Sequence, residues 1–392
     1  MRTRRRSVPW IAAALLLRAA TAAASTLLSP AAGARDAAMT GATVAAPSDL
    51  MSALFENPAG LSLLDEPQAT AGSGFIIGQS EIRTPFGYRG DSDSVGLAPN
   101  FGTATARGRW HFGVGLFGSV GSKFDFPADP EHGIARNFYT ELGAITIAPT
   151  VAYEVTPALA IGIQVNPLYG TLKNRVPTPE QQLRWHVQGP GIQGVVGLLY
   201  TPHPDWRLGV TYKTPGKIFM NGTVGVAGKR EDLRFDFYVP QQVFLGAAWR
   251  ATPRLLLTVF GQWADTSAFE RARFEFSDTP ALDFAFAPKS RDVLRGGAGI
   301  EYQAHPRLAL RAGFARGEAA LEPGSVTPLV YDVSGTIFGA GFGLDLGGWT
   351  IDVTSGYGVF DDRKINAGEA RVFPGRYSAG GPVVYSELTR RF

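Results

Sequence analysis

The chain contains 392 residues, of which 48 are Gly, 45% are hydrophobic and none is Cys. This length is sufficient for two globular domains, but the glycine content and the regularly spaced turn residues favour a single large β structure. A sequence without Cys excludes a disulfide framework and a Cys-based metal or redox site. Beyond the N-terminal region no apolar run reaches the roughly 18 residues that a membrane-spanning helix needs, which excludes a helical membrane bundle.

Residues 1–24 have the pattern of a secretory signal peptide. Four arginines lie within the first six residues, residues 8–17 form a short apolar core, and small residues follow. We expect cleavage near Ala24 and no later than about Ala34. Because this segment holds five Arg and no acid, its removal changes the formal net charge from +3 to −2. The basic character belongs mainly to the signal and gives no support for a nucleic-acid partner.

Residues 25–70 differ in composition from the rest of the chain and predict a small N-terminal plug. The segment is rich in Ala and contains a helical pattern over Leu50–Phe55, with Ser48 or Asp49 as its N-cap. The helix is expected to end at Asn57-Pro58, because the residue before a proline disfavours helical backbone.

Residues 71–392 show the period-2 alternation of β-strands, with apolar residues on one face and small or polar residues on the other. Four hairpins share a short turn that contains Pro157, Pro204, Pro253 or Pro306, and a fifth turns at Gly347-Gly348. Fourteen strands are predicted, at 72–80, 93–107, 110–119, 140–154, 158–168, 191–201, 206–214, 240–250, 254–264, 290–302, 307–316, 335–345, 349–359 and 380–392.

The lengths of the connections distinguish a membrane barrel from a soluble β-sandwich, which shows the same alternation. Short turns alternate with long predicted loops at 168–190, 214–239 and 264–290, an asymmetry typical of outer-membrane barrels. Aromatic residues near predicted strand ends, such as Trp110, indicate interfacial girdles. We therefore predict an all-β fold, a 14-stranded antiparallel transmembrane β-barrel with a hatch in its lumen. The terminal Phe392 is the expected signal for the barrel-insertion machinery.

Three segments carry a resemblance to a known family. The first runs from Gly33 to Leu61 and ends in Asn-Pro-Ala-Gly-Leu, the second is Gly209–Pro215 followed by Asn221-Gly222, and the third is Phe112–Gly118. Together they resemble the FadL/TodX family of outer-membrane transporters for long-chain fatty acids and aromatic hydrocarbons. The segments correspond to the family's hatch, to a mid-barrel strand and to an early strand that is kinked in this family.

The resemblance implies passive transport of hydrophobic small molecules across the bacterial outer membrane. Extracellular loops would catch the molecule, an apolar pocket would hold it, and an opening in the wall near the kinked strand would release it into the membrane. The hatch would block the straight route through the lumen. The implied partners are the hydrophobic substrate and outer-membrane lipids, the implied state is a monomer, and no cofactor, metal or nucleic acid is implied.

The candidate site residues fall into four groups. The first two are the hatch motif, Asn57, Pro58 and Ala59, and the glycines of the lateral-opening strand, Gly113, Gly115 and Gly118. The third group contains the pocket candidates Phe117 and Phe260 and the capture candidates Phe124 and Phe126; the capture candidates are predicted, with Phe138 and Tyr139, in the loop between the third and fourth strands. The fourth group contains the inward cations Arg207, Lys213 and Arg311. The aromatic residues are equally compatible with simple packing. The cations are candidates to pair with a carboxylate ligand or with lumen acids such as Asp352 and Glu387.

Three other functions compete with this interpretation. An outer-membrane enzyme such as a lipase needs a nucleophile and a base in contact, yet none of the five His lies in a Gly-x-Ser-x-Gly setting and metal-ligand clusters are missing from the sequence. Catalysis is therefore not expected. A polar-solute porin or a structural barrel conflicts with the plug, and a soluble periplasmic β protein would fractionate without detergent. Conductance in planar bilayers separates an open porin from a plugged channel.

Overall fold

The computed structural model describes residues 31–177, 182–226, 229–280, 283–285, 289–330, 332–369 and 373–392. The expected signal peptide lies outside the described residues. Within the described ranges, no helix has the length and apolar character that crossing a membrane requires.

Strands dominate the described part of the chain. They are β1 (Gln68–Arg83), β2 (Arg89–Arg107), β3 (Trp110–Phe126), β4 (Phe138–Thr156), β5 (Leu159–Pro177), β6 (Gln182–His203), β7 (Trp206–Lys213), β8 (Gly216–Val226), β9 (Lys229–Val239), β10 (Gln242–Thr252), β11 (Leu255–Ala264), β12 (Arg273–Phe276), β13 (Phe284–Ala285), β14 (Val293–His305), β15 (Leu308–Gly317), β16 (Gly335–Asp345), β17 (Trp349–Phe360), β18 (Arg363–Ile365) and β19 (Gly375–Arg391).

These nineteen segments form one closed antiparallel barrel of fourteen strands. Five of the fourteen barrel strands are interrupted, and each of these consists of two consecutive segments, namely β7–β8, β9–β10, β11–β12, β13–β14 and β17–β18. The barrel closes because β1 pairs with β2 on one side and with β19 on the other. Closure joins every strand of the ring to a neighbour on each side, which is how β structure satisfies its backbone groups in a bilayer. The predicted all-β barrel with fourteen strands is confirmed.

The two rims of the barrel differ, as the sequence predicts. One rim, here called the short-turn rim, carries the tight turns that contain Pro157, Pro204, Pro253 and Pro306, together with the turn at Gly347-Gly348. Both glycines of the last turn have positive φ, 78° and 87°, a conformation that other residues rarely adopt. The chain enters the barrel at Gln68 and leaves it at Arg391 on this rim. The opposite rim, which bears the longer connections, is called the long-loop rim.

Two of the predicted long loops are wrong. Residues 168–177 extend β5, residues 182–190 begin β6, and β8 and β9 occupy most of 214–239. The wall therefore stands taller on this side of the barrel. In these extensions Leu172 and Trp185 face inward and are buried, whereas most polar side chains, such as Lys173 and Arg184, face outward. The alternation persists with its polarity inverted, because this part of the wall stands above the membrane and meets water.

The outer face of the barrel carries an apolar belt over the rest of its height. Exposed large apolar side chains point outward from the strands around the ring, for example Phe75, Leu116, Ile163 and Phe314. At the short-turn rim the belt ends in aromatic residues, among which Trp206 stacks on Trp249 with ring centroids 5.5 Å apart. An apolar band bordered by aromatic girdles is the outer surface of a membrane-embedded barrel.

The N-terminal segment lies inside the lumen. It contains helix α1 (Ala34–Ala38), helix α2 (Leu50–Phe55) and a 3-10 helix (Pro58–Leu63), and almost all of its residues are buried. The predicted bounds of α2 are confirmed, and Asp49 is the N-cap because its side chain accepts a hydrogen bond of 3.0 Å from the amide of Ser52. We call residues 31–66 the hatch. Further 3-10 turns lie at Pro130–His132, Thr266–Arg271 and Pro323–Ser325.

An apolar cap fills the lumen at the long-loop rim. Inward side chains of the extended strands pack there with Phe269 and with residues of the connection that precedes β16; the cluster includes Phe126, Trp185, Phe235, Phe274, Leu321 and Leu329. The barrel is therefore filled from both ends, by the hatch at the short-turn rim and by this cap at the long-loop rim.

Candidate functional site

A cavity of about 840 Å³ lies between the hatch and the apolar cap. Phe55 and Glu56 at the end of α2 contribute to its lining from the hatch, and apolar side chains such as Leu168 and Phe244 contribute from the wall. The amides of Gln242 and Gln262 also line it and hydrogen bond to each other at 2.9 Å. A volume of this size accommodates a ligand of the dimensions of a lipid chain or a small aromatic molecule.

The seam between β2 and β3 is interrupted beside this cavity. From the short-turn rim upward, the two strands pair until Asn100 faces Phe117, and the pairing ends there. Beyond this point residues 89–99 pair in the sheet only with β1 and residues 118–126 only with β4, and β2 and β3 meet again where the amide of Asp125 donates to Oγ of Ser92 at 2.7 Å. The register of β3 against β4 also shifts between Gly118 and Val120, which marks a β-bulge. The wall therefore has a notch, which we call the β2–β3 notch.

The cavity continues through the β2–β3 notch to the outer face of the barrel. Its lining includes Val95 and Leu97 at one side of the notch and Gly118 at the other. It also includes Ile145 and Tyr169, whose side chains point outward from β4 and β5 and are exposed. One continuous space thus connects the lumen with the outer surface near the upper edge of the apolar belt.

The three candidate glycines of β3 occupy two different environments. Cβ atoms built on Gly113 and Gly115 would lie 3.1 Å and 3.0 Å from the side chain of Leu54, so these residues allow the hatch to pack closely on the wall. Gly118 lies at the bulge and borders the notch. The structure therefore separates Gly118 from the other two.

The hatch motif is fixed by hydrogen bonds and by close packing. The Asn57 amide donates to the carbonyl oxygens of Val44 at 2.9 Å and of Leu198 in β6 at 3.0 Å, and its Oδ1 accepts from the amide of Ala59 at 3.1 Å. The chain can approach the wall here because Gly197 faces it; a Cβ on Gly197 would lie 2.2 Å from Asn57 Oδ1. Pro58 and Ala59 approach the backbone of β5 at a second inward glycine, Gly162, in the same manner.

A buried ionic network ties the hatch to the wall near the short-turn rim. Arg35 of α1 forms salt bridges with Glu301 of β14 at 2.8 Å and with Asp49 of the hatch at 3.2 Å. Glu301 also binds Arg311 at 2.6 Å, and Arg311 binds Asp352 of β17. Breaking a buried pair by removing one partner leaves an uncompensated charge, so this network strongly favours the seated position of the hatch.

Four charged side chains lie together around the floor of the cavity. The ammonium of Lys213 lies over the rings of Phe55 and Phe244, at 4.5 Å and 4.9 Å from their centroids. Arg295 donates to the carbonyl oxygen of Thr40 at 2.8 Å, and both cations line the cavity.

The acidic members of this group are Asp36 and Glu56 of the hatch. Burial raises the pKa of the Asp36 carboxyl well above its usual range, and the nearby charge of Glu56 raises it further. Burial also raises the pKa of Glu56, while the charges of Lys213 and Arg295 oppose that rise. Glu56 lines the cavity although only 1% of its surface is exposed.

The four candidate phenylalanines divide between cavity, hatch and cap. Phe117 lines the cavity and packs edge-to-face on Phe55, with centroids 5.2 Å apart. Phe260 does not line the cavity and packs against the hatch near Val44. Phe124 and Phe126 were placed in a loop by the sequence pattern, which is wrong: both lie in β3 and point inward, Phe124 to the cavity and Phe126 into the cap. Phe138 and Tyr139 likewise belong to β4 rather than to a loop.

The three candidate cations are also separated. Lys213 lines the cavity, whereas Arg207 lies nearer the short-turn rim and does not contribute to the lining. Arg311 is committed to Glu301 and Asp352, in agreement with the alternative that it neutralises acids of the lumen. Arg295 is a cation at the cavity floor that the sequence pattern missed.

Arg35 and the two docking glycines, Gly162 and Gly197, were not predicted as site residues either. The sequence contains a partial signal for the glycines, since each falls on the inward, small-residue face of a predicted strand. Arg35 and Glu301 are separated by 266 residues, and no local pattern connects them.

The chain matches the family model of outer membrane transport proteins described as OMPP1/FadL/TodX over residues 13–392. Its fold is similar to that of a FadL homologue from Pseudomonas aeruginosa, with a TM-score of 0.82 and 14% identity over 94% of this chain and 100% of the other. The toluene transporter TodX from P. putida gives a TM-score of 0.75 and 18% identity over 93% and 99% of the two chains.

The toluene transporter TbuX from Ralstonia pickettii gives a TM-score of 0.73 and 20% identity over 93% and 99% of the two chains. No curated protein sequence matches the chain. The family match spans nearly the whole sequence, and the barrel, its lumenal hatch and its apolar belt agree with it. The chain therefore belongs to the OMPP1/FadL/TodX family of outer membrane transport proteins.

Proposed function

We propose that this protein carries long-chain fatty acids or related lipophiles passively across the outer membrane and releases them sideways into the bilayer. The observation that carries the proposal is the β2–β3 notch together with the cavity of about 840 Å³ that passes through it. A molecule in this cavity has the hatch beneath it and the apolar cap above it, so the notch is the open side of its surroundings.

The driving force needs no energy source. Removing apolar surface from water is worth about 25 cal/mol per Å², or about 0.8 kcal/mol for each buried methylene group. The cavity offers Phe117, Phe124, Phe244 and other apolar side chains to such a molecule. Release through the notch toward the apolar belt transfers the molecule from one apolar environment to another, without a second passage through water.

The cations at the floor of the cavity favour a substrate with an acidic head group. Lys213 and Arg295 both line the cavity, and a carboxylate there would gain charge-assisted hydrogen bonds while its hydrocarbon chain contacts the phenylalanines. The alternative substrate class is a neutral aromatic hydrocarbon, suggested by the toluene transporters TodX and TbuX. Such a molecule would use the apolar lining alone.

The seated hatch opposes the alternative function as a polar-solute porin. Arg35 and Asn57 attach the hatch to two separate strands of the wall, β14 and β6, and its residues are buried in the lumen. We propose that the working unit is a monomer in contact with outer-membrane lipids, and that Phe392 serves its insertion into the membrane.

Uptake of a labelled long-chain fatty acid by cells with and without the protein tests the proposal. Wild type is compared with a variant lacking residues 35–60, and both are reconstituted in planar bilayers for conductance. We expect protein-dependent uptake that changes in the variant, together with low conductance of the wild type. Uptake of toluene but not of the fatty acid would select the neutral substrate class. High conductance of the wild type would refute the plugged-channel mechanism.

A further inference from the structure

The outer face of the tall wall carries a cluster of basic side chains. Above the apolar belt, residues on successive strands face outward in rows. One row contains Glu141, Lys173 and His186, and the next contains Tyr139, Arg175 and Arg184, each residue directly opposite its neighbour. Arg230 of β9 continues this surface and donates to Thr223 of β8 at 3.0 Å. We call Lys173, Arg175, Arg184, His186 and Arg230 the outer basic patch.

Within the described part of the chain, the arginines of this patch contact neutral side chains. Arg175 lies over the ring of Tyr139 at 4.8 Å, and Arg184 donates to the side-chain oxygen of Gln182 at 2.9 Å and 3.1 Å. Among the described residues, no carboxylate lies within salt-bridge distance of Arg175, Arg184 or Arg230, whereas Lys173 pairs with Glu141.

Two other outward arginines near the long-loop rim are paired with acids. Arg316 of β15 pairs with Asp361, and Arg376 of β19 pairs with Asp362. Arg175 and Arg184, in contrast, face each other across β5 and β6. Like charges directly opposite in a sheet are destabilising, and an anion bound between them removes this repulsion.

The height of the patch indicates what kind of anion it meets. The apolar belt on β5 ends at Tyr169, and Lys173 and Arg175 follow four and six residues later. At about 3.3 Å per residue along a tilted strand, they lie roughly 10 to 15 Å above the belt. The headgroup layer of a phospholipid bilayer is only about 5 to 7 Å thick on each side. The patch therefore faces a taller headgroup, such as the sugars of a glycolipid.

We infer that the outer basic patch binds phosphate groups on the sugar headgroup of an outer-leaflet glycolipid. The long-loop rim is the extracellular rim of an outer-membrane barrel, so the patch faces that leaflet. Arginine forms bidentate hydrogen bonds with phosphate, and Arg175 and Arg184, which pair across β5 and β6, offer two such donors on neighbouring strands. The site adjoins the outer end of the transport cavity, which Lys173 and His186 also line.

Binding of rough-type lipopolysaccharide to the purified full-length protein in detergent tests this inference. The test variant is Arg175→Gln/Arg184→Gln, and the matched control is Arg316→Gln/Arg376→Gln, which also removes two outward charges near the same rim. Native mass spectrometry counts the bound glycolipid, and the same lipid after chemical dephosphorylation is the second probe. Unboiled electrophoresis verifies that each barrel is folded.

We expect the test variant to bind the phosphorylated lipid more than about tenfold more weakly than wild type, because charge-assisted hydrogen bonds are lost. The control pair should retain wild-type binding, and dephosphorylation should weaken binding to wild type to the level of the test variant. The variant Arg175→Lys/Arg184→Lys should keep intermediate affinity, since an ammonium binds phosphate as a point charge.

Three outcomes would overturn the inference: unchanged binding in the test variant, an equal loss in the control pair, or equal binding of the dephosphorylated lipid. The single variants Arg175→Gln and Arg184→Gln carry the same test with a smaller expected loss if the double variant does not fold. Addition of inorganic phosphate distinguishes a lipid site from a free-phosphate site, because competition at micromolar phosphate would contradict a lipid-specific site.

Discussion

A disulfide across the lower end of the β2–β3 notch tests whether molecules leave through it. The natural sequence has no Cys, so Ala98→Cys/Gly118→Cys introduces a unique pair. A Cβ built on Gly118 lies 4.0 Å from the Cβ of Ala98, within the range of about 3.5 to 4.5 Å that disulfides require. The bond would lock β2 to β3 just beyond the last natural pair, Asn100 and Phe117.

The expected effect follows from the geometry of the notch. Residues 118–124 of β3 border it, a length of about 23 Å at about 3.3 Å per residue, and the bond from the Asp125 amide to Ser92 of β2 closes its upper end. The cross-link lies at the end of the notch nearest the hatch, next to Phe117, and restrains the separation of the two strands. We expect the oxidised variant to take up labelled oleate at less than about one-tenth of the rate of the reduced variant, which corresponds to an added barrier of about 1.4 kcal/mol.

The assay measures initial uptake by cells whose only route for oleate is this protein, before and after addition of dithiothreitol. The single variants Ala98→Cys and Gly118→Cys are the matched controls and should not respond to oxidation or reduction. Non-reducing electrophoresis quantifies the cross-link. Complete cross-linking with unchanged uptake would refute lateral release through the notch.

Three further predictions concern the hatch and the cavity floor. Asn57→Ala removes the amide that donates to two backbone carbonyl groups, and a buried carbonyl left unsatisfied costs about 1 to 3 kcal/mol. The variant should therefore hold the hatch less firmly and raise conductance in planar bilayers. The control Ser62→Ala, which removes one local hydrogen bond of 2.7 Å, should not raise it. Lys213→Met should lower oleate uptake about tenfold at limiting concentration and leave toluene uptake unchanged, since only the acid uses the charge. A raised pKa of Asp36 means that this carboxyl binds more protons in the folded than in the unfolded state, so its contribution to wild-type stability falls as pH rises above about 4. The difference in Tm between Asp36→Asn and wild type should therefore shift in favour of the variant from pH 5 to pH 8. An equal difference at both pH values would contradict the assignment.

Features encoded by local sequence were predicted closely. Helix α2 has the predicted bounds because its signals, the Asp49 cap and the Asn57-Pro58 stop, lie within a few residues of the helix. The Pro-containing turns and the fourteen strands followed from period-2 alternation and turn chemistry, which also act over short distances.

Features that depend on environment or on distant partners were missed. The sequence pattern predicts loops for the upper parts of β5, β6, β8 and β9, because the pattern of a membrane strand has apolar residues outside, and above the membrane that polarity is reversed. The pairing of Arg35 with Glu301 joins segments 266 residues apart, so the sequence contains both charges without any indication of their contact. The interruption of the β2–β3 seam is a matter of backbone register, which side-chain patterns specify only weakly.

The position of the notch in the wall follows from the same physical constraint that closes the barrel. An unpaired backbone N–H or C=O group in hydrocarbon costs several kcal/mol, so a membrane barrel cannot leave a long free edge in the middle of the bilayer. Here the unpaired edges of β2 and β3 begin beside Phe117 and end where the Asp125 amide donates to Ser92. The outer lining of the passage combines Ile145 and Tyr169 with polar residues such as Glu141. The opening thus lies where the apolar belt gives way to the polar wall, and water or lipid headgroups can satisfy its backbone groups. A lateral exit at this height keeps contact with the hydrocarbon at its lower side, which is the side from which an apolar molecule would enter the membrane.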